Sequence, residues 1–72
     1  MASEFFIAAD VSPGMLVRLS RIRQGLRQRD LAQKAGVTQA EVSAMERGRY
    51  IIPAARRRIL EALDLAGEES HG

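Results

Sequence analysis

The stretch from Gln28 to Gly48 constrains this chain more than any other part of it. Gln28 to Ala35 reads as a short helix with Leu31 and Ala35 turned inward. Arg27 is a poor N-cap for that helix, which weakens its start. Gly36 follows directly, and a glycine there admits positive φ and a sharp turn. Thr38-Gln39-Ala40-Glu41 has the form of a capping box, so a new helix opens at about Gln39. Its inward pair is Val42 and Met45, six and nine residues after Gly36, and Gly48 ends it. Ala32, four residues before Gly36, keeps the first helix narrow where the second crosses it. The spacing therefore predicts two short helices crossing steeply at a glycine turn, the second with an outward-facing side.

Helices are also expected on either side. Ser12-Pro13 is a helix start, because serine caps free amides and proline suits the first helical position. Met15, Leu19, Ile22 and Leu26 then recur at spacings of four, three and four, which predicts an inward apolar face. Arg18, Arg21 and Arg23 lie mostly off that line, and Gly25 ends the helix. Arg49-Tyr50-Ile51-Ile52 reads as a loop, with one or two of its apolar residues in the core and the remainder suited to a protein interface. Pro53 begins the last helix, whose buried face is Ile59, Leu60 and Leu63, and Gly67 closes it. The fold class is all-α: a compact domain of four helices, with a fifth as the alternative. Residues 13–66 form the domain, 1–12 a separate N-terminal arm, and 67–72 a polar tail. Within the arm, Phe5-Phe6-Ile7-Ala8-Ala9 is apolar and too short for an independent helix. A strand pairing with a partner chain, a segment docked on the helices and a disordered arm all remain open for it.

Composition removes many functions. A chain of 72 residues has room for one modest core, and such a domain buries only ~60% of the surface its unfolded chain exposes. With no cysteine there is no disulfide or thiolate metal site. The single histidine, His71, sits in the tail, so no metal site is expected, and no cofactor. There is no Gly-rich phosphate loop and no convincing acid pair, so an enzyme is not expected. No signal peptide or membrane-length apolar run is evident, which points to the cytoplasm. The formal net charge is +2, but its distribution is uneven. From Gly14 to Arg58 eleven cations face only Asp30, Glu41 and Glu46, a net +8, while the other six acids lie toward the ends. A basic middle between acidic ends suggests a polyanion partner.

The run from Gln28 to Gln39, continued by Val42-Ser43-Ala44-Met45-Glu46-Arg47-Gly48-Arg49 and by Ile59-Leu60-Glu61-Ala62-Leu63, closely resembles the Cro/repressor family of helix-turn-helix regulators, also known as the xenobiotic-response-element family. The likeness spans roughly residues 15 to 65. It implies a lambda-repressor-like fold and double-stranded DNA as partner. By this resemblance Gln39, Ala40 and Ser43 read base edges, with Ala44 at the rim. Glutamine can pair with adenine, alanine can touch a thymine methyl, and serine can bond several bases. Gln28 and Thr38 at two helix starts, with Arg47 and Arg49, hold phosphates; Gln28 also braces Gln39. Arg56 is the best phosphate candidate of Arg56-Arg57-Arg58, since consecutive helical residues point ~100° apart and cannot all face one duplex. Arg21 and Glu46 form a structural ion pair. The implied regulator is a homodimeric repressor on a palindromic operator. The alternative is a DNA-binding antitoxin or regulatory subunit whose N-terminal arm holds a protein partner, and an adaptor without DNA binding ranks behind both.

Overall fold

A computed structural model describes residues 12–65, and all of its regular structure is helix. The described chain holds α1 (Pro13–Arg23), α2 (Gln28–Ala35), α3 (Gln39–Glu46) and α4 (Pro53–Ala62), with no strand among the described residues. The Phe5–Ala9 arm, Gly67, His71 and the rest of the tail lie outside the described residues.

Each helix starts where a local signal places it. Ser12 Oγ accepts the Met15 N–H at 3.1 Å, with Pro13 as the first helical residue. Thr38 Oγ1 accepts the Glu41 N–H at 3.1 Å, and the Glu41 carboxylate accepts the Thr38 N–H at 2.9 Å. Pro53 again opens α4, behind Ile52 in extended conformation. Arg27 departs from expectation. The Asp30 carboxylate reaches back to accept the Arg27 N–H at 2.9 Å and the Arg27 Nε–H at 3.0 Å. The start of α2 is thus held from its third residue rather than by the residue before it. Hydrogen bonds from the Arg27 side chain and backbone also hold the Asp30 carboxyl below the usual carboxylate range. The turn between α2 and α3 pivots on Gly36, which is left-handed at φ 73°, ψ 34°. Beyond it, the Val37 N–H returns to the Ala32 carbonyl at 3.0 Å.

The core is Val17 of α1, Leu31 and Ala32 of α2, Val42 and Met45 of α3, Ile59 and Leu60 of α4, and Leu63 just beyond. Leu26, Ala35, Val37 and Ile51 pack against it from the turns and helix ends. Of the three apolar loop residues, only Ile51 joins the core; Tyr50 is 81% exposed and Ile52 55%. Gln24 Nε2 donates to the Leu63 carbonyl at 3.4 Å, tying the end of α1 to the end of α4.

Two expectations are corrected. The apolar line Met15, Leu19, Ile22 does not face the core: with Leu16 these side chains are 41–54% exposed. Of the four residues on that line only Leu26, past the helix, packs inward. The buried residues of α1 are Gly14 and Val17, and Arg21 is largely covered. At 100° per residue the two sets lie on nearly opposite sides of the helix. The cause is Gly14. A Cβ there would collide with the Met45 carbonyl oxygen and lie 2.7 Å from that of Glu46. Only a glycine lets α1 approach the backbone of α3 this closely, and that approach fixes which face turns inward. The second correction concerns α4, which stops at Ala62 well before Gly67. Asp64 takes the left-handed conformation at φ 63°, and the Leu65 N–H turns back to the Leu60 carbonyl at 2.7 Å. Leu63 and Leu65 thereby pack against the core, which a longer helix would not allow for both.

Candidate nucleic-acid interface

The second helix of the Gly36-linked pair is α3, and its two ends differ in their surroundings. At the C-terminal end the Glu46 carboxylate is 4% exposed and collects three donors. Arg21 of α1 reaches it through Nε at 2.6 Å and Nη2 at 3.1 Å, a two-pronged contact that fixes both distance and plane. The remaining guanidinium nitrogen, Nη1, donates to the Leu26 carbonyl at 2.9 Å. Gln28 of α2 donates its side-chain amide to Glu46 Oε1 at 3.2 Å. One carboxylate therefore joins α1, α2 and α3. The brace expected from Gln28 to Gln39 runs instead to Glu46.

At the N-terminal end Gln39 and Ala40 are exposed, while Ser43 and Ala44 one turn on are half-buried. These four share no structural hydrogen-bonding duty, unlike Glu41 in the cap and Val42 in the core. Thr38 stands at the helix start. Its hydroxyl oxygen accepts within the capping box, and a hydroxyl keeps one proton to donate outward. The first-turn amides of α3 also point out of the helix start, where the dipole favours anions.

Exposed cations follow the other end of α3 and continue into α4. Arg47 and Arg49 follow α3 and are exposed, with left-handed Gly48 between them at φ 76°. Arg56, Arg57 and Arg58 are all exposed on α4. A groove of about 450 Å³ lies between the start of α1 and the α3–α4 loop, lined by Gly14, Met45, Arg49, Tyr50, Ile51 and Arg56 among others. It brings Arg49 and Arg56 to one opening across seven residues of sequence. Spacing alone misses two residues that build the site. Gly14 decides how α1 seats against α3. Gln28 acts on a partner 18 residues away. For Gly14, a glycine inside a predicted helix was the available signal, since it costs helix stability unless something lies close to it.

Two short helices joined at a left-handed glycine, the second crossing the first and presenting its N-terminal turn outward, form a helix-turn-helix unit. A family model described as "Helix-turn-helix domain" matches residues 14–71, and the chain belongs to that family. The class is that of DNA-binding regulators. No significant match was found among curated proteins or among solved structures. No helix among the described residues is long and apolar enough to cross a membrane.

Proposed function

We propose that this chain is a transcriptional regulator of Cro/repressor type that binds double-stranded DNA at specific sequences and represses as a homodimer on a palindromic operator. The observation that carries this is the contrast along α3: exposed Gln39 and Ala40 side chains with no structural duty, on a helix anchored at its other end. Gln39, Ala40 and Ser43 read base edges in the major groove, and Ala44 lies at the rim. Gln39 is the strongest determinant, because its amide can donate to and accept from one adenine. Thr38 and the backbone amide of Gln28, with Arg47, Arg49 and Arg56, hold phosphates on either side and set the register. The working domain is 13–66, with 1–12 as an arm and 67–72 as a tail, acting in the cytoplasm on chromosomal DNA. Binding requires no cofactor and no catalysis.

Two-fold pairing follows from the size of the reading surface. Three or four small side chains touch only a few base pairs, and two copies double that at half-sites ~34 Å apart or a multiple of it. Selection of bound sites from random DNA tests this directly. An enriched palindrome with one fixed spacing is expected. Enrichment of a single half-site would remove the homodimer, and no enrichment would remove sequence specificity.

The exposure of Tyr50 and Ile52 favours a second reading, a DNA-binding antitoxin or regulatory subunit that works through a protein partner. Stoichiometric co-purification of a second polypeptide, lost on Tyr50→Ser/Ile52→Ser, distinguishes it.

A further inference from the structure

We propose, on the DNA-binding reading above, that Tyr50 is a further DNA contact, whose phenol hydroxyl donates a hydrogen bond to the same backbone strand that Arg49 and Arg56 hold. Tyr50 is the most exposed large apolar residue of the described chain, at 81%. The loop that carries it is anchored on the far side, where Ile51 turns into the core and Pro53 opens α4. The Tyr50 hydroxyl bonds to no other described residue. A phenol oxygen both donates and accepts, so its proton is available to a partner outside the chain.

Tyr50 lines the groove of about 450 Å³ between the start of α1 and the α3–α4 loop, together with Arg49 and Arg56. No described residue that lines this groove is acidic. Two guanidinium groups with no carboxylate beside them draw an anion. Met45, Ile51 and the two prolines that open α1 and α4 give the same groove an apolar wall. A sugar-phosphate strand offers both surfaces, charged phosphate and apolar deoxyribose, whereas a free phosphate offers only one. Position agrees. α3 is about 12 Å long, and the major groove is about 12 Å wide. With the first turn of α3 at the base edges, the loop behind its last turn reaches the strand at the rim. Tyrosine is among the side chains that bond DNA phosphates in this way. A protein-docking role suits Tyr50 less well. An exposed arginine precedes it and a core residue follows it, while the broader exposed apolar surface, with Met15, Leu16, Leu19 and Ile22, belongs to α1.

The chain holds one tyrosine and no tryptophan, so 3-fluorotyrosine incorporated during expression labels this position alone. Its fluorine resonance should shift when duplex DNA of mixed sequence is added. Tyr50→Phe keeps the ring and removes only the hydroxyl, and helical circular dichroism should be unchanged because the ring lies outside the core. Affinity for the same duplex should fall about ten-fold at every salt concentration, the effect of losing one hydrogen bond to a charged group. The slope of log affinity against log salt should keep its wild-type value, since no cation is lost. Arg49→Ala, by contrast, should lower that slope. A fluorine resonance indifferent to DNA, wild-type affinity in Tyr50→Phe, or a slope that falls in Tyr50→Phe would overturn the proposal. If Arg49→Ala still lowers the slope in that event, Tyr50 alone leaves the DNA surface. If it does not, the phosphate-binding reading of this face falls as well.

Discussion

The two ends of α3 are seven residues apart and are built on opposite terms. At the C-terminal end, the Glu46 side chain is nearly covered and bonded to two other helices, and its backbone lies against Gly14 of α1. At the N-terminal end, Gln39 and Ala40 are exposed, and neither side chain bonds to another described residue. The difference teaches a division of labour. Structural demand is concentrated where the helix ends, so residues where it begins can be chosen for what they touch outside. A helix held along its whole length would have no such freedom. One held nowhere would present its side chains at no fixed angle.

Substitutions can break this contrast from either end. The largest effect is expected from Glu46→Ala, which strands the Arg21 guanidinium, 12% exposed, without its anion. Removing one partner of a buried pair costs about 3–5 kcal/mol, and a value near the lower figure is expected because the Leu26 carbonyl remains bonded to Arg21. Chemical denaturation measures it; a loss under about 1 kcal/mol would reduce the junction to an ordinary surface pair. Gly14→Ala comes next. The added methyl meets backbone rather than a mobile side chain, so α1 or α3 must shift, at about 1–3 kcal/mol. DNA affinity should fall with stability, for specific and nonspecific sequences alike.

Gln39→Ala sharpens the contrast from the other end. Stability should be unchanged, while operator affinity falls by about 1–3 kcal/mol and nonspecific binding holds. A parallel loss on both DNAs in a titration would take Gln39 off the base-reading surface. Arg49→Ala should weaken binding to every sequence and lower the slope of log affinity against log salt by about one. An unchanged slope would remove that phosphate contact. The smallest effect belongs to Asp30, whose carboxylate bonds only within the start of α2. Its carboxyl titrates below the usual range when folded, so its contribution is present above the unfolded pKa of about 3.9 and lost as pH falls through the lower folded value. Asp30→Asn should flatten only that acidic limb of the stability curve, read by thermal melting between about pH 2 and 5.

The local parts of this fold were legible because their causes are local. Proline at 13 and 53, the Thr38–Glu41 box and the glycine at 36 each act within a few residues, and each helix starts or turns where they stand. The orientation of α1 was not legible. A spacing of four and three describes an apolar stripe equally well whether it faces the core or the outside, and Met15-Leu19-Ile22 is richer in hydrocarbon than Gly14-Val17. The choice was made by backbone approach at Gly14, which no hydropathy pattern records. The end of α4 was missed for a related reason. Asp64 adopts a conformation more often supplied by glycine, so Gly67 looked the better stop. In the site, the Gln28–Glu46 bond joins residues from separate helices, and spacing along the chain carries no information about it.

The carboxylate of Glu46 has a mechanical consequence. α3 is about 12 Å long at 1.5 Å per residue, so a rotation of ~10° about its anchored end would carry the first turn sideways by about 2 Å. Base pairs in a duplex are stacked 3.4 Å apart. A loose bearing at Glu46 would therefore blur the reading by more than half a step of the DNA ladder. Three donors on one carboxylate fix that end of α3 to α1 and α2, so on the proposed reading the aim of Gln39 is set about 12 Å from the bases it would read, at the far end of its own helix.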